Sequence, residues 1–241
     1  MKRTTSLLLA LITIIFIFFS CKKDPIKAEN RNVLIIYDDT TTNVNTLSLK
    51  SAIEAAGYKV TFSDANESKW DNTNPSLDGF FGVVHLNGTT YDTEMPLAGQ
   101  NALVDFVKNE SGFYISAEWD GYQVTKNQML AMQDLILLDR GNAENGIVTF
   151  IPVVEEAGHP VLNSVPATFD VDVDANGTAH VFAIDPSVVL VKEGSRDAVV
   201  VREFGNGKIL GFHHSGNYNG NDNWSNTNIQ KIVVNFFNWK Q

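Results

Sequence analysis

The run Val33-Leu34-Ile35-Ile36-Tyr37, followed at once by Asp38-Asp39-Thr40-Thr41-Thr42, constrains the fold more than any other part of the chain. A strand with one wet face alternates apolar and polar residues. A short unbroken apolar, β-branched run is instead buried on both faces, as in a parallel sheet covered by helices on either side. Downstream, 46–56 places Leu47, Leu49, Ile53 and Ala56 near helical spacing, Gly57 stops that helix, and 59–62 is a second strand. Two strands joined by a helix of that length form a right-handed βαβ unit, so the sheet starts parallel. The pattern continues with a strand at 80–86, a helix at 99–108 burying Leu103, Val104, Phe106 and Val107, a strand at 113–116, and a Met- and Leu-rich helix at 128–138. Beyond that the chain reads as β, at 147–153, 168–173, 180–184, 188–191, 198–204 and 208–213. A last helix at 229–239 presents Ile232, Val233, Phe236 and Phe237. With no repeat period and no Pro/Gly/Ser linker, the expectation is one α/β domain over 33–241, its sheet mostly parallel, with a late antiparallel β insertion.

The residues before this body read as an address. Lys2 and Arg3 precede an apolar stretch of 13 residues, Leu7 to Phe19, and the chain turns charged after Cys21. A bilayer span needs about 20 apolar residues, so 1–20 reads as a signal peptide. Ser20 before the lone Cys21 resembles the lipobox of bacterial lipoproteins, although Phe18 and Phe19 stand where Leu and a small residue are usual. Cys21 is therefore the expected lipidation site, with 21–32 as lipid attachment and polar tether. That puts the protein in the cell envelope, lipid-anchored, on the periplasmic face or outer surface of the outer membrane. The formal charge of −10 becomes −12 once Lys2 and Arg3 leave with 1–20. An acidic chain without a basic face repels phosphates, so nucleic acid is excluded as a partner.

Ligands in open α/β sheets bind beyond the carboxyl ends of the parallel strands. Here those ends carry Asp38 and Asp39, then His85 and Asn87, then Glu118, Trp119, Asp120 and Tyr122, and finally His213 and His214. Glu118, Asp120, His213 and His214 are the candidate catalytic acids and bases; Asp38, Asp39, His85, Asn87, Trp119 and Tyr122 are candidate ligand contacts. No cofactor is expected, and two donor sets bear on a divalent metal. One of the adjacent His213 and His214 could join His85, Glu118 or Asp38 in a mixed nitrogen and oxygen site. The stretch 170–177 superficially resembles a calcium loop but lacks its sixth-position Gly and twelfth-position acid, and reads better as a half-buried strand with a hairpin turn at Ala175-Asn176-Gly177. The stretch 216–228 interleaves six asparagines with Tyr218 and Trp224. Asn217, Tyr218 and Trp224 would suit a carbohydrate, whose hydroxyls pair with amides and whose C–H faces stack on rings. Asx turns and a cap on the last helix are the competing reading.

The segments VLIIYDD, AAGYKV, DGFFGVVHLNG, ALVDFVKNESGFYISAE, GHPVL and FGNGKILGFHHSG, followed by NIQKIVVNFFNW, together resemble the class I glutamine-amidotransferase-like fold, nearest to its ThuA-like (trehalose-utilisation) proteins. The resemblance covers most of 33–241 and implies a flavodoxin-like three-layer sandwich. Amidotransferases of this type attack with an activated Cys at a turn after a strand. This chain reads Tyr114-Ile115-Ser116-Ala117-Glu118-Trp119 there and has no cysteine after Cys21, which excludes glutamine amidotransferase and cysteine peptidase chemistry. Ser116 lacks the flanking glycines of a nucleophile elbow and reads as a small strand residue. Three roles remain open: a non-catalytic domain binding a small polar ligand such as a glycan, a ThuA-like enzyme acting on a sugar with Glu or Asp and His as acid and base, or an accessory subunit of an envelope complex.

Overall fold

The computed structural model describes residues 31–38, 40–116, 118–139, 144–178, 182–213 and 224–240, without the side chains of Glu118, Glu144, Asn145 and 173–178. Cys21, Asp39, His214, Asn217 and Tyr218 lie outside it. No helix among the described residues is long and apolar enough to cross a membrane.

The apolar runs form the strands as their patterns require. β1 (Asn32–Ile36), β2 (Lys59–Phe62), β3 (Gly82–His85), β4 (Phe113–Ser116) and β9 (Gly207–Phe212) pair in parallel in the order β2-β1-β3-β4-β9. Val33 to Ile36, Val83 to His85 and Phe113 to Ser116 are all buried, because helices cover both faces. α1 (Val44–Ala55) packs on α4 (Thr227–Phe237) over one face, and Leu49, Ile53, Ile232, Val233 and Phe236 fill the core between them and the sheet. α2 (Leu97–Lys108) covers the other face with Leu103, Phe106 and Val107 against Leu34, Val83 and Tyr114. Each helix of the first layer starts at an asparagine cap. The Asn43 side chain accepts from the Asn45 and Thr46 amides, and Asn226 accepts from those of Asn228 and Ile229, satisfying donors that a helix start leaves free.

Several sequence expectations need correction. The sheet is mixed rather than mostly parallel. Four strands, β8 (Arg196–Phe204), β7 (Val188–Glu193), β5 (Glu144–Pro152) and β6 (Phe169–Thr178), continue it beyond β9 entirely by antiparallel pairing, and all of these ladders but the one between β5 and β7 are longer than the parallel ones. Strands of four or five residues look as prominent in sequence as strands of nine or ten, so local pattern exaggerates the parallel half. The expected helix at 128–138 shrinks to a 3-10 turn, Leu130–Leu135, entered through Met129 at φ 54. A helix that the periodicity missed, α3 (Glu118–Thr125), starts immediately beyond β4. Gly121 hides it from propensity reasoning, yet Gly is required there, since a Cβ would meet the Leu138 carbonyl. The backbone of 175–177 belongs to β6, where Thr178 pairs with Glu144 past a register shift, so no hairpin turn falls at Ala175-Asn176-Gly177. The strand expected at 180–184 contributes only a bridge from Ala183 to Leu138 within the described residues.

Candidate functional site

The strand order β2-β1-β3-β4 places a topological switch point between β1 and β3, the place where open α/β sheets form their ligand crevice beyond the carboxyl ends. His85, the last residue of β3, sits level with Ile36 of β1 and Ser116 of β4. Its side chain lies between two carboxyls. Nε2 is 3.5 Å from Glu67 Oε2 and Nδ1 is 3.4 Å from Asp120 Oδ2, and all three residues are fully buried. Tyr114 of β4 brings its hydroxyl to 2.7 Å from Nδ1.

The chain positions each member by a local device. Glu67 follows β2, and its amide donates to the Tyr37 carbonyl at 2.7 Å, which ties the loop after β2 to the end of β1. Asp120 rides on α3, and Asn87, just beyond β3, donates through Nδ2 to Asp120 Oδ1 at 3.2 Å and to Gln123 Oε1 at 2.9 Å. Asp38 accepts from the Thr89 amide and hydroxyl at 2.9 and 3.2 Å, pinning the loop after β3 over the cluster. Beside it Tyr91, Trp119 and Tyr122 meet in a ring cluster with centroids 4.9 to 5.7 Å apart, Tyr91 and Tyr122 half-buried and Trp119 buried.

Burial without a compensating cation sets the protonation. It pushes the Glu67 carboxyl from 4.5 up to about 8, with the nearby Asp38 charge adding to the rise and Thr90 opposing it. Neither Glu67 oxygen makes a hydrogen bond of normal geometry, although the Thr90 hydroxyl is close enough to favour the carboxylate. Asp120 is pushed up by burial to about 6, with His85 and Asn87 holding it down and Glu67 holding it up. Burial lowers the His85 pKa, partly offset by Asp120 and Asp38, and raises that of Tyr114. At neutral pH these directions leave Glu67 as a neutral acid facing an unprotonated Nε2, with Nδ1–H toward Asp120 carboxylate and the Tyr114 oxygen. That is an oriented imidazole whose free Nε2 faces the protonated Glu67 carboxyl, an arrangement able to give and retake one proton.

Of the expected site residues, Asp38, His85, Asn87 and Asp120 come together, and Trp119 and Tyr122 stand beside them. The α3 backbone carries Glu118 into the same region. His213 belongs elsewhere. It is buried with Nε2 3.6 Å from Glu193 Oε2, and its ring stands edge-on to Phe150. Trp224 is fully buried against Phe212 with centroids 5.2 Å apart, a core position rather than an exposed stacking platform for a sugar. Asp170 lies in β6 bonded to the Thr149 hydroxyl. Among the described residues, no group of three or more His, Cys, Asp or Glu side chains could hold a metal ion. Glu67 escaped sequence reasoning although Asp64-Ala65-Asn66-Glu67 follows the second strand. Applying the strand-end rule to that strand as well would have found it.

No family model matches the chain, and no curated protein matches it in sequence. Solved structures share the fold. A cytoplasmic protein from Salmonella typhimurium LT2 superposes with a TM-score of 0.63 at 14% identity over 87% of this chain and 100% of its own. A ThuA-like protein from Bacteroides uniformis ATCC 8492 gives 0.56 at 15% over 90% and 94%. A GMP synthase-like protein from Thermoplasma acidophilum gives 0.56 at 10% over 86% and 92%. The ThuA-like and glutamine-amidotransferase-like architecture is therefore the fold of this chain.

Proposed function

We propose that this is an acid–base enzyme acting on a small polyhydroxylated ligand, a sugar, held in the cell envelope by a lipid on Cys21. The observation that carries the reading is His85 standing between Glu67 and Asp120 at the switch point. Glu67 is the general acid and base at the reacting oxygen or carbon, and His85, oriented by Asp120 and Tyr114, returns its proton. The half-buried faces of Tyr91 and Tyr122 suit the C–H face of a sugar ring, while Asp38 and Asn87, buried behind them, hold the loop after β3 and α3 in place. Incubating the protein with a panel of mono- and disaccharides in D2O, followed by proton NMR, tests this without assuming the product. Deuterium incorporation or bond cleavage that disappears in Glu67→Gln is expected; an inert panel, or turnover unaffected by Glu67→Gln, overturns it.

The zero exposure of Glu67, His85 and Asp120 favours a second reading, in which the domain binds a glycan at the Tyr91 and Tyr122 surface and the triad only braces the crevice. A thermal-shift screen separates the two, because the binder is stabilised by sugars equally well with and without Glu67→Gln. Cys21 lipidation is read out by mass spectrometry of the mature N-terminus, where an unmodified thiol would contradict the anchor.

A further inference from the structure

We infer that the opposite pole of the sheet carries a second binding site, for a small aromatic carboxylate. A cavity of about 450 Å³ opens at the amino ends of the parallel strands, sharing no residue with the crevice. That size lies within the usual range for a small-molecule pocket. Its wall is aromatic, three of the rings near-parallel and Phe237 tilted against them. Phe81 stacks on Phe113 at 4.5 Å and 27°, and on Tyr58 at 6.0 Å and 25°, while half-buried Phe80 and Trp239 complete the lining. The close packing of this wall depends on Gly82, where a Cβ would come within 2.6 Å of the Phe237 ring.

Among the described residues that line the same cavity, two are cations, Arg31 and Lys240, and one is an acid, Glu110, in a chain whose net charge is −10; Arg31 also donates to the Ala56 carbonyl at 3.4 Å. Arg31 lies over the Tyr58 ring at 5.0 Å, which holds its guanidinium beside the apolar wall. Ser111, also lining the cavity, holds φ 66, a strained conformation that tends to be kept where a site needs it. Flat apolar walls select a ring, and a net positive mouth selects an anion on that ring. The site stands independently of the acid–base reading, since none of its groups belongs to the triad.

Isothermal titration of the full chain with indole-3-acetate, and with indole-3-acetamide as its uncharged counterpart, tests the inference. The acetate is expected to bind one to one and about tenfold more tightly than the amide, the worth of one charge-assisted contact. Arg31→Ala combined with Lys240→Ala should erase that preference and leave the amide affinity unchanged; both positions reach the surface, and circular dichroism checks the fold. Phe80→Ala should weaken both ligands. Absence of saturable binding by either compound, equal affinities in the wild type, or a preference that survives the double substitution overturns the site.

Discussion

Among the described residues two buried histidines, His85 and His213, meet carboxylates, and only one of the two clusters is electrostatically settled. In the antiparallel half, Arg196 forks onto both oxygens of Glu193 at 2.9 and 2.7 Å, and His213 lies beside that pair. A cation neutralises the carboxylate, so His213 has no need of a proton, and burial with the Arg196 charge lowers its pKa to about 3. In the parallel half, His85 faces Glu67 and Asp120 with no arginine or lysine among its ionic partners in the described residues, and the Glu67 carboxyl itself takes up a proton. The difference teaches that a compensated charge braces a fold, whereas an uncompensated one stores a transferable proton.

Removing the compensation gives the largest effect. Arg196→Met strands the Glu193 charge in the interior and should cost about 3–5 kcal/mol of unfolding free energy, measured by urea denaturation. A cost below about 1 kcal/mol would mean that the pair is not buried as described. Next comes Glu67→Gln. It replaces a carboxyl that the unfolded chain ionises at pH 7 and the folded one does not, so the variant should be at least as stable as the wild type there, while turnover on whichever sugar is processed should fall about a hundredfold or more. A loss of stability without a loss of turnover would turn the triad into a brace like its counterpart.

The two clusters also respond to pH with opposite signs. Glu67 keeps a proton in the folded state that the unfolded chain releases. Its contribution is therefore complete below pH 4.5 and is lost as pH rises toward 8, with a slope of up to about 1.4 kcal/mol per pH unit. His213 refuses a proton that the unfolded chain accepts, so its contribution is complete above pH 6.5 and is lost as pH falls toward 3. Thermal melts across this range should flatten on the alkaline side in Glu67→Gln and on the acid side in His213→Gln. The smallest effect is Tyr114→Phe, which deletes the 2.7 Å contact to His85 and should cost about 1 kcal/mol. It should also shift the pH profile of turnover, which a purely structural hydroxyl would leave in place.

The sequence made much of this legible, for identifiable reasons. The unbroken apolar run at 33–36 and the apolar stretch at 80–84 locate the parallel strands, since only burial on both faces tolerates them, and strand ends point to Asp38, His85, Asn87 and Asp120. The same local signals miss α3, whose Gly121 answers to the distant Leu138 carbonyl, and cannot tell His85 from His213, because Glu67 and Arg196 approach from remote parts of the chain. Trp224 illustrates the same limit. Its asparagine-rich surroundings suggest an exposed ring, and only packing on Phe212 reveals a core residue.

The infrared difference spectrum between wild type and Glu67→Gln at pH 7 tests most directly whether Glu67 holds the transferable proton. The expected result is the carbonyl stretch of a neutral carboxylic acid, present in the wild type, absent in the variant and titrating away around pH 8. Ionised carboxylate bands alone at pH 7 would contradict it and leave the cluster without its acid.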